Sequence, residues 1–398
     1  MRLLGFRYLR RQRVAALVMI VAFSSMLFSI TAFSLLGFYR GFSAYLGEGE
    51  GIIVIYDRNS RTPFTGLVPI YLAERIRAIS GVRTMSPEAM APCILKGESV
   101  FLRGIVPEDF SKLSQLTVME GGMIGLEDLN FMVAGRNVAE RLGLNLDDKV
   151  LVSGILTGRC LDLRVKGVFV SHTPMDDEIL APIYVGQWLR GADYAHATLI
   201  RVKIGIEVEG KTVSRSDVSR VVAEEASRQP SPHGEEAGLE PSQGLIMPRM
   251  AIGFRAEDIG IEEASSFMRG YLERYGVTRE SLLTLSIAVF FFSSFSIALG
   301  YKVIIAQHRG ELDVLRSLGA SRRLLKADLL AKLLPWSIMA SFIGTAAGLA
   351  TLNMIQEWGY LRVLSHTVPI RADPLVIALN FSFAILLSAI TILKSEVG

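Results

Sequence analysis

Five histidines and two cysteines are all the soft metal ligands that 398 residues offer. His172, His196, His233, His308 and His366 are scattered with no zinc-ligand spacing, so no metal site is expected. Cys93 and Cys160 are too few for a disulfide framework. A bridge between them is chemically allowed in an oxidising compartment, but two cysteines beside apolar segments do not establish one. No Gly-x4-Gly-Lys-Ser/Thr segment occurs, which excludes a phosphate loop in this chain. The G-x-S-x-G and H-E-x-x-H patterns are absent too, so no catalytic residue is nominated. Asp176-Asp177-Glu178 lacks the spaced oxygens and the glycine of a calcium loop, and it reads as solvated acid after Pro174. There is no internal repeat.

Charge is missing from four long stretches: Val14 to Tyr39, Ser281 to Tyr301, Leu333 to Gln356 and Pro374 to Leu393. Each reaches or nearly reaches the ~20 residues that a helix needs to cross the hydrocarbon core. The lack of ionisable groups inside them argues against an ion-coupled carrier. The basic leader (residues 1–13, with Arg2, Arg7, Arg10, Arg11 and Arg13) precedes an apolar run far too long for a signal peptide, so the run reads as a retained anchor. Residues 1–13, 302–332 and 394–398 together hold 13 Lys+Arg against 4 Asp+Glu, whereas the remainder holds 29 against 35. The positive-inside rule therefore predicts a multi-pass protein of the cell membrane with both termini and residues 306–332 in the cytoplasm. Residues 40–280 and the loop 357–373 are then outside. The basic residues sit beside spans and form no basic face, so membrane lipid is an expected partner and nucleic acid is not.

What is there, between the second and third spans (281–305 and 333–356), is a charged amphipathic segment. Two antiparallel spans need only a few linking residues, so a linker with its own helical pattern has a further task. Leu312, Leu315 and Leu318 recur at helical spacing, with Val314 beside them and Glu311, Asp313 and Arg316 on the remaining faces. Gly319 suits the left-handed position that ends a helix, and after Ala320, Ser321 suits the cap of the next one. A cytoplasmic leucine stripe of this kind predicts that something covers it. In the third span, Gly344 and Gly348 form a G-x-x-x-G pattern that lets two helix backbones approach, within the chain or across a dimer.

Residues 40–280 suffice for a large domain. Gly51–Tyr56, Ser99–Val106, Phe131–Ala134, Lys149–Ser153, Leu161–Val170 and Ala197–Ile204 read as strands, and Pro69–Ile79, Asn137–Leu142 and Ile183–Leu189 as helices. The interleaving predicts an α+β domain inserted between the first span (14–39) and the second. A Pro/Gly/Ser/Glu-rich stretch over 228–248 reads as a flexible loop, and helical patterning resumes at Ala256.

The order of one span, a large domain, and three spans with the amphipathic segment between the second and third resembles the MacB/FtsX-type ABC transporter permeases. The likeness extends to local motifs: Ile79-Ser-Gly-Val82 with Ser86-Pro87, Leu102-Arg-Gly-Ile-Val-Pro-Glu-Asp109, Val133-Ala-Gly-Arg-Asn-Val-Ala-Glu-Arg-Leu-Gly-Leu144, Val165-Lys-Gly-Val168 and Ala181-Pro-Ile183. In the linker, Arg309, Glu311, Leu315, Gly319, Ala320 and Ser321 fall where the family shows its own motif. The family's MacB-like core would span about 45–204; residues 205–280 match its pattern poorly, and only Lys394 to Gly398 stands where a longer basic tail is usual.

The resemblance implies a permease that binds no cofactor itself, with ATP and Mg on two copies of a separate ABC-type ATPase held at residues 309–321. It also implies a second permease chain, identical or paralogous. The external domain would move to export or extract a substrate by mechanotransmission. The alternative the family offers is an FtsX-like transducer that activates an external partner, such as a cell-wall hydrolase, without transport.

Overall fold

The computed structural model describes residues 11–43, 45–47, 51–60, 62, 64–79, 81–204, 215–228, 255–274, 278–358, 362, 363, 365–368, 370 and 372–394. In chain order the elements are α1 (Arg11–Ser43), β1 (Ile52–Asp57), β2 (Val68–Pro69), α2 (Tyr71–Arg77), β3 (Val82–Leu95), β4 (Glu98–Ile105), α3 (Pro107–Leu113), β5 (Thr117–Gly121), β6 (Phe131–Gly135), α4 (Arg136–Leu142), β7 (Lys149–Gly154) and β8 (Cys160–Val170). They continue with β9 (Glu178–Pro182), α5 (Ile183–Arg190), β10 (His196–Ala197), β11 (Leu199–Ile204), α6 (Arg215–Arg228), β12 (Ile259–Glu263), α7 (Ala264–Arg274), α8 (Arg279–Gln307), α9 (Arg309–Ser317), α10 (Arg322–Glu357), β13 (Arg362–Val363), β14 (His366–Thr367) and α11 (Pro374–Lys394). The chain divides into a helical unit, containing α1 up to Arg40 and α8 to α11, and an inserted unit, containing residues 41–275 together with Val363–His366.

In the helical unit, α1, α8, α10 and α11 are each long and apolar enough to cross a membrane, in agreement with the four charge-free runs. The third is longer than expected. Between Arg322 and Leu334 there is neither glycine nor proline, and leucine, alanine and lysine are strong helix formers, so α10 starts at Ser321 and runs through the interface into the span without a joint. Half of the linker is therefore the first part of a spanning helix. Val14, Leu17 and Val21 of α1 pack with Ile297, Tyr301 and Ile304 of α8, Leu325, Leu329 and Leu333 of α10, and Ile392 of α11.

The interior of this unit also carries polar glue. The Asn380 amide nitrogen on α11 lies 2.9 Å from the Ser29 hydroxyl, 2.9 Å from the Thr345 hydroxyl and 3.2 Å from the Ser25 carbonyl. Away from water such groups must find partners within the protein, and here they join three helices.

The inserted unit is built on one mixed sheet in the order β12-β1-β11-β3-β4-β9-β6-β8-β5, with β7 bridging β3 and β8. The pairs β4/β9 and β6/β8 are parallel and the remaining pairs antiparallel. α4 and α5 cover one core with β3, β4, β6 and β9, while α2 and α6 cover a second with β1, β3, β11 and β12.

Two sequence expectations change here, and one long strand had no counterpart among them. β3, fourteen residues long, carries Pro87 and Pro92 amid a largely buried run, which hides the alternation of a half-exposed strand. The strand expected over Ala197–Ile204 splits at Thr198, whose hydroxyl accepts from the Met90 amide at 2.7 Å and from Arg190 at 2.6 Å. The helix expected from Ala256 begins only at Ala264; Ile259–Glu263 is an edge strand pairing Ile53 to Asp57 of β1. Residues beyond 204 thus complete the sheet. From residue 229 on, the loop expected over 228–248 lies outside the described residues.

Candidate functional site

α9 ends by satisfying its own backbone. Gly319 adopts φ +96°, its amide donates to the Arg316 carbonyl at 2.9 Å, and the Ala320 amide reaches back to Leu315 at 3.2 Å. This pairing of two reversed bonds closes the helix, and glycine takes the left-handed geometry without a Cβ clash. Two residues on, the Ser321 hydroxyl accepts from the Leu324 amide at 3.3 Å and opens α10. The turn between the helices is fixed at both ends.

The leucine stripe divides. Leu312 is 2% exposed and packs among Val14, Leu17, Ile304 and Leu325, with Leu315 and Ala320 partly buried against the same cluster. Those side chains are covered by the chain's own helices, which corrects the expectation that the whole stripe awaits a partner. Leu318 is different: it is 79% exposed, and Val314 at 59% and Leu324 are exposed too. Arg309, Arg316 and Ser321 are exposed as well. The Glu311 carboxylate bonds the His308 ring within the first turn, where a negative charge also suits the helix dipole.

Gly344 and Gly348 face α1. A Cβ at Gly344 would run into the Ala22 carbonyl and Ser25, and one at Gly348 would press on Met26 and Ser29. The pattern is thus a close contact within the chain, the first of the two readings open in the sequence.

A cluster that the sequence did not nominate lies inside the inserted unit. Arg103 on β4 donates through Nη1 to Glu88 of β3 at 2.6 Å, and through Nε and Nη2 to Glu178 of β9 at 2.6 and 3.1 Å. Arg201 on β11 bonds the other Glu88 oxygen and donates to the Leu46 carbonyl and the Ser114 hydroxyl, both at 3.0 Å. Tyr45 donates its hydroxyl to Glu178, and His366 Nε2 lies 2.9 Å from the same carboxylate oxygen. Both arginines and both glutamates are fully buried. Burial alone would raise the Glu178 carboxyl, but the Arg103 guanidinium overrides it and holds the group at about 2. Burial pushes the Tyr45 phenol well above its ordinary value, with the Glu178 charge adding to it.

The acids at 176–178 are consequently not solvated. Asp177 accepts from Asn137 and Arg141 at 3.1 and 3.0 Å, and Asp176 accepts from the Ser171 hydroxyl and the His172 amide at 2.7 and 3.0 Å. The signal available was single charges set in apolar strands: Arg103 within Phe101–Ile105, Arg201 within Leu199–Val202, and Glu178 ahead of Ile179-Leu180-Ala181. Among the described residues no group of acids, histidines and cysteines is placed to hold a metal. Cys93 and Cys160 are unpaired, and burial pushes the Cys93 thiol up to about 12.

Residues 283–395 match the family model of the FtsX-like permease C-terminal domain. No curated protein matches. Among solved structures, the periplasmic region of MacB from Actinobacillus actinomycetemcomitans is similar with a TM-score of 0.39 and 15% identity, over 56% of this chain and 92% of that one. The extracellular domain of the noncanonic ABC-type transporter YknZ from Gram-positive bacteria gives 0.32 and 14%, over 44% and 91%. A domain of a putative permease protein from Porphyromonas gingivalis gives 0.31 and 15%, over 46% and 85%. Residues 283–395, which hold α8 to α11, are therefore an FtsX-like permease domain.

Proposed function

We propose that this chain is the membrane subunit of an ABC transporter in which a separate subunit hydrolyses ATP, and that the end of α9 with the start of α10 is where that subunit docks. The carrying observation is Leu318, which stands 79% exposed on a helix end fixed by the Gly319 turn and the Ser321 cap. Val314 and Leu324 extend this apolar surface, and Arg309, Glu311, Arg316, Arg322 and Arg323 surround it with charge for orientation. Leu312 and Leu315 serve differently, anchoring α9 to the bundle so that a push on Leu318 moves the spans.

Two ATPases, carrying ATP and Mg, and two permease chains form the working unit in this reading. The termini and α9 are cytoplasmic and the inserted unit lies outside, where its movement exports or extracts a substrate. The test is co-purification with the ATPase subunit that accompanies the wild-type chain. Leu318→Glu abolishes stimulation of that ATPase while the chain still inserts, and the purified permease hydrolyses no ATP alone. A Leu318→Glu chain that binds and stimulates normally overturns the docking site; turnover by the permease alone overturns the division of labour.

A further inference from the structure

We propose that the turn carrying Ser365 and His366 is a releasable key in the inserted unit, which keeps its ion cluster dry when seated and admits water when withdrawn. The His366 ring is almost fully buried. It stacks on Phe101 with centroids 5.3 Å apart, meets Tyr45 edge-on at 5.0 Å and Phe42 at 6.5 Å, and sets Nε2 2.9 Å from Glu178. Beside it the Ser365 hydroxyl lies 2.8 Å from that of Ser99, at the start of β4. An imidazole thus fills an aromatic slot whose floor is a carboxylate.

Three features make the key removable. Two arginines oppose two glutamates beneath it, and Glu178 keeps both Arg103 bonds and the Tyr45 bond without His366, so withdrawal strands no charge. Ser365 holds φ +66°, a left-handed conformation that costs a residue other than glycine free energy and persists only while its surroundings enforce it. Finally, the turn belongs to the inserted unit while the chain before and after it leads to α10 and α11 of the helical unit, so it is covalently joined to both. A buried group held by local contacts and joined to two helices of the other unit has the makings of a two-position element.

The test uses the full-length chain in lipid nanodiscs, with Cys93→Ser and Cys160→Ser as background and Ser99→Cys with Ser365→Cys added. Mild oxidation joins the new pair; failure to join overturns the seated arrangement. Amide hydrogen exchange over β4 and β9 is then at least ~10-fold slower in the oxidised chain than in the reduced one, while β6 and β8 exchange equally in both. Equal rates throughout show a key that never leaves, and uniform slowing of all strands shows ordinary crosslink stabilisation; either overturns the proposal. In a second measurement, His366→Ala speeds exchange in β4 and β9, and free imidazole, which refills the slot, restores it. Unchanged exchange in His366→Ala also overturns the key, and the disulfide pair remains decisive if that variant does not fold.

Discussion

At Glu178 one carboxylate serves Arg103, Tyr45 and His366 together, so the effect of a substitution depends on which charge is left behind. Arg103→Met leaves Glu178 buried without its countercharge, and the expected loss is about 3–5 kcal/mol. Adding Glu178→Gln removes the stranded charge, so the double variant melts above the single one in thermal unfolding of the purified chain. The pH dependence has a definite sign. The folded Glu178 carboxyl, at about 2, lies below its ordinary 4.5. Its contribution is therefore complete above pH 4.5 and is lost as pH falls through about 2. Thermal scans across that window show a smaller acid-induced drop in Glu178→Gln than in the wild type. This cluster was illegible as a site because its members come from β3, β4, β9 and β11 and meet only through strand register, which no local pattern records.

At the scale of elements, legibility followed periodicity. Charge-free runs give α11 to within a residue and lie inside the longer α1 and α8, and Gly319 with Ser321 gives the α9–α10 junction, since each is a local rule. β12 was missed because Ile259-Gly-Ile-Glu-Glu263 is short and acquires its form by pairing with β1, 210 residues earlier by the register Ile53 to Glu263. The Leu312/Leu315/Leu318 stripe was visible as a stripe, but spacing alone cannot tell a face covered by neighbouring helices from one left open. The same holds for Gly344 and Gly348, whose counterpart on α1 is a run of small residues and backbone. Replacing both glycines with isoleucine drives side chains into Ala22 and Ser25, and the expected outcome is loss of folded, detergent-extractable protein. Gly310→Ala, at a site where an added Cβ meets nothing, leaves the yield unchanged and serves as the control.

For the whole molecule, the proposed orientation makes a prediction about access. In intact cells a cysteine at exposed Gln115, in a background lacking Cys93 and Cys160, reacts with a membrane-impermeant maleimide, whereas one at exposed Ser317 reacts only after permeabilisation. Labelling in the opposite sense would invert the topology and remove the ATPase from α9. The dimensions of α10 carry the matter further. Its 36 residues extend about 54 Å at 1.5 Å each, against a hydrocarbon core about 30 Å thick. Nearly half of the rod therefore lies beyond the oil, with Pro335 its one missing rung. Such a rod pivots like a seesaw: a tilt of about 10° about its midpoint swings each end by about 5 Å in opposite directions. In the proposed reading, work delivered near Arg322 would arrive near Glu357 with no cavity opened, no helix unwound and nothing carried through the middle.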